Sequence, residues 1–297
     1  MSIGIEDLGI IVPAFLAGAL VLAGCATSGA DKGNWICKAD AATLAQFDQI
    51  LAKKAIPTPE GLDDKGAACA RARLNDAQQA KYGEPVGYKA GLTNPAVQKR
   101  FNATAPVWGA LYAPMLLNSG ATVDAAFGTR PLFEADLLVR VADARINQAR
   151  NAEDVLASID AVIPFIELPD LMVDNPGKLN GAALSAVNVG ARLGVMGTPV
   201  PVQRSAEFSN GLRDGLIVIS ANGTELDRGR GSDVLGHPLN AVVYLAQALA
   251  LEGRTLKKGD LLSLGSFSKL MPPKAGQTVE VSYQGLPGTP KVQVSFR

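Results

Sequence analysis

The chain is poor in histidine, cysteine and aromatic residues, and it carries no net charge. One His and three Cys occur among 297 residues, and 28 basic side chains balance 28 acidic ones. A balanced charge provides no strong field to attract nucleic acid. An aromatic content of 5% also argues against a surface on which bases stack. We therefore expect no nucleic-acid partner.

Nucleotide-binding signatures are absent as well. No G-x-G-x-x-G motif follows a predicted strand, and no G-x-x-x-x-G-K-[ST] motif occurs, which excludes Rossmann and P-loop sites. Hydrophobic residues make up 47% of the chain and charged residues 19%. These values are typical of a globular protein and not of a disordered one.

The N-terminus has the pattern of an export signal. Residues 8–24 form an uncharged, mostly apolar run that ends in Leu22-Ala23-Gly24-Cys25, a sequence that resembles a bacterial lipobox. A run of this length fits a signal-peptide core better than a stable membrane span. We predict a lipoprotein-type signal peptide over residues 1–25, lipidation at Cys25 and a flexible tether over residues 26–40.

One feature of this segment is unusual for a signal peptide. The residues before the apolar run include Glu6 and Asp7 and no Lys or Arg, whereas a signal normally starts with basic residues. The alternatives are a single-pass anchor and a misassigned start. The export hypothesis places the protein in the cell envelope or periplasm, touching the membrane only through its lipid. A misassigned start would instead leave it in the cytoplasm.

The two remaining cysteines form a possible pair. If Cys25 is lipidated, Cys37 and Cys69 are an even pair in an oxidising compartment, and such a pair is a disulfide candidate. The alternative is two inert buried thiols. Neither cysteine has a His or a further Cys nearby in sequence, so we expect no metal at this pair.

The pattern of apolar residues predicts an α+β fold. Residues 41–85 read as an N-terminal helical cap, and residues 86–297 as a β-rich domain with a mixed, curled sheet, because strands and helices do not alternate regularly. The predicted helices are 41–54, 63–82, 95–101, 151–159 and 238–251. The predicted strands are 86–90, 111–116, 132–141, 162–168, 186–193, 215–221, 260–264, 278–283 and 292–296.

Three carboxylates occur within predicted strands. Glu134 and Asp136 are two residues apart, so their side chains point to the same face of a strand. Glu167 lies in a similar apolar run. Acidic oxygens on rigid strands, without nearby Cys or His, suit a hard divalent cation such as Mg²⁺ or Mn²⁺. The alternative is a pair of edge-strand carboxylates that face water.

From residue 40 onward, the order of local motifs resembles the 2-keto-4-pentenoate hydratase / oxalocrotonate decarboxylase branch of the fumarylacetoacetate hydrolase superfamily. Each motif is short, but together they follow the order and approximate spacing of that branch. The matching runs are GYKAGLT (87–93), PLFEAD (131–136), VIPFIELPD (162–170), GRGS (229–232), LGHPLN (235–240), GD (259–260) and GS (265–266).

The resemblance implies a β-roll-like fold of the type found in the C-terminal domain of fumarylacetoacetate hydrolase. It also implies a Mg²⁺ or Mn²⁺ site formed by Glu134, Asp136 and Glu167. Relatives usually carry Glu at the position of Asp136, so the reach is shorter here by one methylene. Family analogy further suggests a homo-oligomer.

A second departure from the family lies in the segment Ala186-Val187-Asn188-Val189-Gly190. Relatives typically have A-D-N-A-S here, so Val187 replaces an acid and Gly190 replaces a serine. Asn188 is retained and is expected to bind substrate. These replacements raise the possibility of a changed substrate or of lost activity.

Lys89 is the expected proton carrier. It lies among apolar neighbours, and desolvation makes a lysine usable for proton transfer; the alternative is a lysine that extends to the surface. Ser266 is a candidate ligand for a substrate carboxylate, or a turn residue that bonds its own backbone. Arg230 is a candidate anion ligand, or a residue that fixes a loop. His237, the one histidine, is expected to be a turn or packing residue.

These expectations favour a divalent-metal-dependent hydratase that acts on a small 2-oxo acid. The single His matters, because carbon–carbon bond hydrolases of the superfamily resemble each other in using a His-centred dyad. A related 2-oxo acid decarboxylase is the alternative enzyme. An exported lipoprotein with a decayed site and a binding or structural role is the alternative from another class.

Overall fold

The computed structural model describes residues 37–297, and the predicted signal peptide with Cys25 lies outside this range. Among the described residues, the α-helices are α1 (Ala41–Leu51), α2 (Asp64–Tyr82), α3 (Pro95–Arg100), α4 (Ala152–Ser158), α5 (Gly181–Ala186), α6 (Ala206–Asp214) and α7 (Asn240–Leu251). Short 3₁₀ turns cover Ala113–Met115, Ala144–Gln148, Pro176–Lys178, Asn188–Gly190 and Gly231–Asp233.

The strands fall into two sheets. They are β1 (Gly87–Gly91), β2 (Val107–Leu111), β3 (Leu116–Asn118), β4 (Ala121–Val123), β5 (Glu134–Val141), β6 (Ile159–Leu168), β7 (Leu193–Met196), β8 (Val200–Pro201), β9 (Leu216–Ala221), β10 (Thr224–Arg230), β11 (Leu261–Ser263), β12 (Thr278–Gln284) and β13 (Lys291–Phe296). The larger sheet has the order β2-β1-β11-β5-β6-β7-β3, with β8 also paired to β6, and the smaller has the order β10-β9-β12-β13-β4. Parallel and antiparallel pairs occur in both, so the predicted α+β class with a mixed sheet is confirmed.

The burial of each strand follows from its place between the sheets. In the smaller sheet, β9, β12 and β13 bury every second residue, as expected where one face packs on a core and the other meets water. The central strands β5 and β6 of the larger sheet are buried on both faces. The acids Glu134, Asp136 and Glu167 on these strands are therefore removed from water, whereas Arg140 and Asp160, which pair farther along the same strands, stay partly exposed.

Polar residues mark where most helices begin. In six of the seven described helices a side-chain oxygen at the N-cap accepts a hydrogen bond from a backbone N–H of the first turn, which satisfies one of the donors left free at a helix start. These caps are Asp40, Asp63, Asn94, Asn151, Asn180 and Ser205.

The predicted helical cap is joined closely to the rest of the protein. A hydrophobic cluster combines Phe47 and Ile50 of α1 and Leu74 of α2 with Met172 and Leu184, which belong to the predicted β-rich domain. Residues 37–297 fall within one compact unit. The cap thus shares a core with α5.

Two predicted strands are wrong in part. Residues 186–193 contain the end of α5, a 3₁₀ turn and the start of β7, and residues 111–116 contain the end of β2, a 3₁₀ turn and the start of β3. Both runs are apolar because they are buried, and an apolar run of this length does not reveal its backbone conformation. Helices α5 and α6 and strands β4, β8 and β10 were not predicted.

The structure contains a disulfide between Cys37 and Cys69, with the Cα atoms 5.3 Å apart. Next to it, Lys38 pairs with Asp76 at 2.8 Å, and the backbone N–H of Ala39 donates to the same carboxylate. Residues 37–40, predicted as the end of the tether, are therefore fixed to α2. Within residues 37–297, none of the helices combines the length and the apolar character needed to span a bilayer.

Removal of this disulfide is expected to lower stability without removing the fold. The bridge closes a loop of 32 residues, for which the chain-entropy relation gives about 3–4 kcal/mol. We expect the Cys37→Ser/Cys69→Ser variant to lose roughly this free energy of unfolding in urea titrations. The wild type under reducing conditions should match it. An unchanged midpoint in both would show that the bridge does not stabilise the protein.

Candidate functional site

The register of β5 and β6 brings the three predicted acids onto one face of the larger sheet. Glu134 lies directly opposite Glu167, and Asp136 lies opposite Phe165, two residues along the same strands. Directly opposed residues share a face, as do residues two apart. The exposed fractions are 8% for Glu134, 0% for Asp136 and 2% for Glu167. The alternative of water-facing edge carboxylates is therefore wrong.

Lys89 belongs to the same cluster. It lies on β1, which is separated from β5 only by β11, and it is 3% exposed. Its ammonium forms a close ion pair with the Glu167 carboxylate and donates to the carbonyl of Val189 at 3.0 Å. The alternative of a lysine extended to the surface does not apply, whereas its catalytic role stays a prediction.

The cluster holds more acid than base, and this imbalance perturbs its carboxyls. Burial raises the pKa of Glu134 well above its usual range, and the neighbouring Glu167 adds to the shift, while Lys89 opposes it. Burial likewise raises the pKa of Asp136 to about 8, with Glu167 contributing and the hydroxyl of Ser263 opposing. Buried carboxylates in this arrangement require added positive charge, or a bound proton, to be stable.

The carboxylate of Asp136 is fully hydrogen-bonded within the protein. Its Oδ1 accepts from the backbone N–H groups of Leu137 at 2.6 Å, Leu264 at 3.2 Å and Gly265 at 3.0 Å. Its Oδ2 accepts a short hydrogen bond from the hydroxyl of Ser263. Asp136 thus ties β5 to β11 and the turn that follows it.

The acids differ in how well they fit a metal ion. Within the described range, no group of three or more His, Cys, Asp or Glu side chains is arranged to hold one; Asp136 already has four donors and Lys89 is paired with Glu167. However, Oε2 of Glu167 is buried without a hydrogen-bond partner, and it belongs to the residue opposite Glu134. This unpartnered oxygen beside a second carboxyl fits a hard cation. Asp136 as the third ligand stays a prediction.

The turn that contains Asn188 contacts the cluster at Lys89, through the Val189 carbonyl. Asn188, Val189 and Gly190 all have positive φ, at 54°, 53° and 64°. This conformation is a rare one for a β-branched residue such as Val189, and strain of this kind often marks a functional site. The turn packs on two glycines of the β1–β2 pair: a Cβ on Gly91 would lie 2.5 Å from the Val189 side chain, and one on Gly109 would lie 2.5 Å from the Asn188 carbonyl.

The side chain of Asn188 makes structural contacts. Its amide oxygen accepts from the N–H of Ala110 at 2.7 Å, and its amide nitrogen donates to the Ala110 carbonyl and to Gln78 of α2. The structure thus places Asn188 at the edge of the site with its hydrogen bonds directed to β2 and α2. Its predicted contact with substrate is untested.

The departures at positions 187 and 190 have a packing explanation. Val187 is 4% exposed and belongs to the hydrophobic cluster shared by α2 and α5, where an acid would be desolvated. Gly190 has positive φ, and a Cβ there would lie 2.9 Å from the carbonyl oxygen of Asp170. The local backbone therefore favours glycine over the serine of relatives.

Three other residues make local structural contacts, and the predicted substrate contacts of Ser266 and Arg230 stay predictions. The Ser266 hydroxyl donates to the carbonyl of Ser268 at 2.5 Å. Arg230 is exposed and donates to the carbonyl of Asp214 at 2.9 Å. His237 accepts at Nδ1 from the Leu239 N–H and lies 3.2 Å from the Ser209 carbonyl through Nε2. Burial lowers the pKa of His237, so it is a neutral turn residue.

Sequence analysis missed two residues of the site. Ser263 of β11 donates to Asp136, and the hydroxyl of Tyr283 on β12 reaches the Asp136 carbonyl. The strands that carry both were predicted, but only pairing across the sheets shows which partner each residue meets. The glycine at position 265 was a weak sequence signal of this close packing. In the structure its φ is 103°, and it lies so close to Thr93 that no side chain fits.

The chain was compared with known proteins. No family model matches it. It is 30% identical over 202 residues to the TodF product hydratase of Pseudomonas putida strain F1, covering 68% of this chain and 73% of the relative. It is 28% identical over 239 residues to the 2-keto-4-pentenoate hydratase of Paraburkholderia phymatum, covering 80% and 88%.

Solved structures agree with these relatives. The 4-oxalocrotonate decarboxylase from Pseudomonas putida G7, complexed with magnesium and adipate, superimposes with a TM-score of 0.75 at 27% identity, over 86% of this chain and 97% of that one. The fumarylpyruvate hydrolase from Pseudomonas aeruginosa, in complex with Mn²⁺ and pyruvate, gives a TM-score of 0.52 at 14% identity, over 71% and 89%. The second likeness concerns the fold alone.

The raised pKa of Asp136 predicts a specific pH dependence. Its folded-state value of about 8 lies above the ordinary 3.8, so between these values the native protein holds a proton that the unfolded chain has released. Stability without metal should therefore fall as pH rises through this window. We expect the unfolding free energy of wild type, measured in urea, to decrease from about pH 5 to about pH 7.5 more steeply than that of Asp136→Asn. The control Asp48→Asn, at an exposed position on α1, should follow wild type; parallel curves for all three proteins would contradict the assignment.

Proposed function

Because the chain belongs to the family of 2-keto-4-pentenoate hydratases and oxalocrotonate decarboxylases, within the fumarylacetoacetate hydrolase superfamily, we propose that it is a divalent-metal-dependent hydratase. Its substrate would be a 2-hydroxydienoate or 2-oxo-alkenoate, to which it adds water. The observation that carries this proposal is the buried cluster in which Lys89 meets Glu134, Asp136 and Glu167 on one face of the larger sheet.

The acids of the cluster would hold the metal ion, and Mg²⁺ or Mn²⁺ is the proposed species. Glu134 and Glu167 are the first candidates, since the unpartnered Oε2 of Glu167 lies in this buried cluster. Asp136 would join them if its carboxylate turned from Ser263. When bound, the ion supplies Lewis-acid stabilisation of the negative charge that develops at the C2 oxygen of the substrate.

Lys89 would move the proton during the enol-to-keto conversion that precedes the addition of water. The Val189 carbonyl holds its Nζ in place, and the Glu167 carboxylate is its acidic partner. All four side chains are at most 8% exposed, so bulk water is kept from the ammonium. This restricted access is what proton transfer to a carbon atom needs.

A decarboxylase would use the same stabilised enolate and lose CO₂ instead of gaining water. The acids and Lys89 serve both reactions. The identities of the released product and of the substrate that is turned over therefore separate the two.

We also propose that the protein is exported and lipid-anchored through Cys25. The disulfide between Cys37 and Cys69 supports this, because disulfides persist mainly in oxidising compartments. Homo-oligomer formation, suggested by the family, is part of the same proposal.

Loss of Lys89 should remove turnover and leave the fold intact. We expect Lys89→Met to reduce kcat for 2-hydroxypenta-2,4-dienoate about 10²–10⁴-fold, followed as the loss of ultraviolet absorbance with Mg²⁺ or Mn²⁺. Lys81→Met, at an exposed position on α2, is the matched control and should retain wild-type activity. If the wild type turns over no short dienoate, the proposed enzymatic function is rejected.

Loss of Glu167 should remove the response to metal. Wild type at a metal concentration 100 times its Kd should gain about 2.7 kcal/mol of stability, seen as a rise in Tm. Glu167→Ala should gain little, whereas Glu153→Ala, which removes an exposed glutamate of α4, should behave as wild type. If added Mg²⁺ or Mn²⁺ leaves the wild-type Tm unchanged, the site is vestigial and the protein has a binding or structural role.

A further inference from the structure

The two strands that carry the acids meet a side chain of the other sheet beside the acidic cluster. The backbone carbonyl of Leu137 accepts from Leu264 just after β11, and that of Pro164 accepts from Gly197 just after β7. This opposed pair therefore directs its backbone groups away from the β5–β6 ladder. Because the direction alternates from pair to pair in an antiparallel ladder, the backbone groups of the next pair, Asp136 and Phe165, face each other across β5 and β6.

The hydroxyl of Tyr283 lies at the Asp136–Phe165 pair. Tyr283 lies on β12 of the smaller sheet and is 2% exposed. Its oxygen accepts from the Phe165 N–H at 2.9 Å, lies 2.9 Å from the Phe165 carbonyl and forms a short hydrogen bond to the Asp136 carbonyl. Asp136 and Phe165 are opposite each other. One hydroxyl thus bridges the backbones of both strands.

Glu134 and Glu167 are the next pair on the same face, two residues along each strand from this bridge. Like charges directly opposite on a sheet repel each other, and here burial strengthens the repulsion. The contacts of Tyr283 add a link across the strands next to this pair.

We propose that Tyr283 is a positioning residue of the acidic site. Its hydroxyl joins the facing backbones of Asp136 and Phe165 and so fixes the separation of the Glu134 and Glu167 carboxyls. This inference rests on the proposed metal-dependent function, because its consequence is the affinity of these two acids for a divalent cation. The hydroxyl of Tyr283 bonds to backbone atoms only and takes no part in the chemistry.

Removal of the hydroxyl tests the inference. Tyr283→Phe keeps the buried ring and loses the bridge. The matched control is Tyr112→Phe, since Tyr112 is also buried and its hydroxyl donates to the Asn75 carbonyl at 3.0 Å, away from β5 and β6. We expect the Kd for Mn²⁺, titrated by electron paramagnetic resonance, to rise at least tenfold in Tyr283→Phe and to change less than twofold in Tyr112→Phe. The two variants should lose similar amounts of thermal stability.

A second measurement uses the wild type and depends on no variant. If the bridge and the cation site are coupled, bound Mg²⁺ should slow hydrogen exchange of the Phe165 amide several-fold. The Val86 amide, bonded to the Leu111 carbonyl, is the reference and should change little.

The outcomes separate this inference from the proposed function. Wild type that binds Mn²⁺, together with a Tyr283→Phe variant whose Kd equals that of Tyr112→Phe, would overturn the role of Tyr283 and leave the metal-dependent function standing. The same holds for Mg²⁺ that binds without slowing exchange at Phe165. Wild type that binds neither ion would overturn both.

Discussion

The structure depends on how two buried carboxyls, Glu134 and Glu167, are held opposite each other in a central strand pair. Bulk water does not hydrate either carboxyl, because β5 and β6 are covered on both faces at these positions. Asp136 adds a further acid nearby, and three features reduce the resulting repulsion: the ammonium of Lys89, the raised pKa of Glu134, and the backbone link through Tyr283. An arrangement that is unfavourable for stability alone is typical of a site that binds a cation or moves a proton.

The sequence was most informative where periodicity and motif coincide. The strands around Glu134 and Glu167 alternate or are continuously apolar, so their existence and the shared face of Glu134 and Asp136 followed from residue spacing. The long helices α2 and α7 were equally clear. The burial of Lys89 was argued from its apolar neighbours, and the structure agrees.

The rest depends on tertiary contacts that no local pattern records. The segment 188–190 has strand-like composition, yet its backbone is left-handed because the turn must approach Gly91 and Gly109 closely. The four donors to Asp136 come mostly from β11 and the turn after it, more than 120 residues away in sequence. Asn188 was expected to face a substrate from its place in a motif, but its bonds run to Ala110 and Gln78.

The position of β11 has a consequence for how the protein is made. This short strand inserts between β1 and β5, although the ribosome synthesises it well over 100 residues after either. Until Leu261–Ser263 and then Tyr283 leave the exit tunnel, the larger sheet stays open at its middle, and Lys89 has no scaffold that carries it to Glu167. Non-local closure of this kind is slow. The larger sheet can therefore be completed only late in the synthesis of the chain.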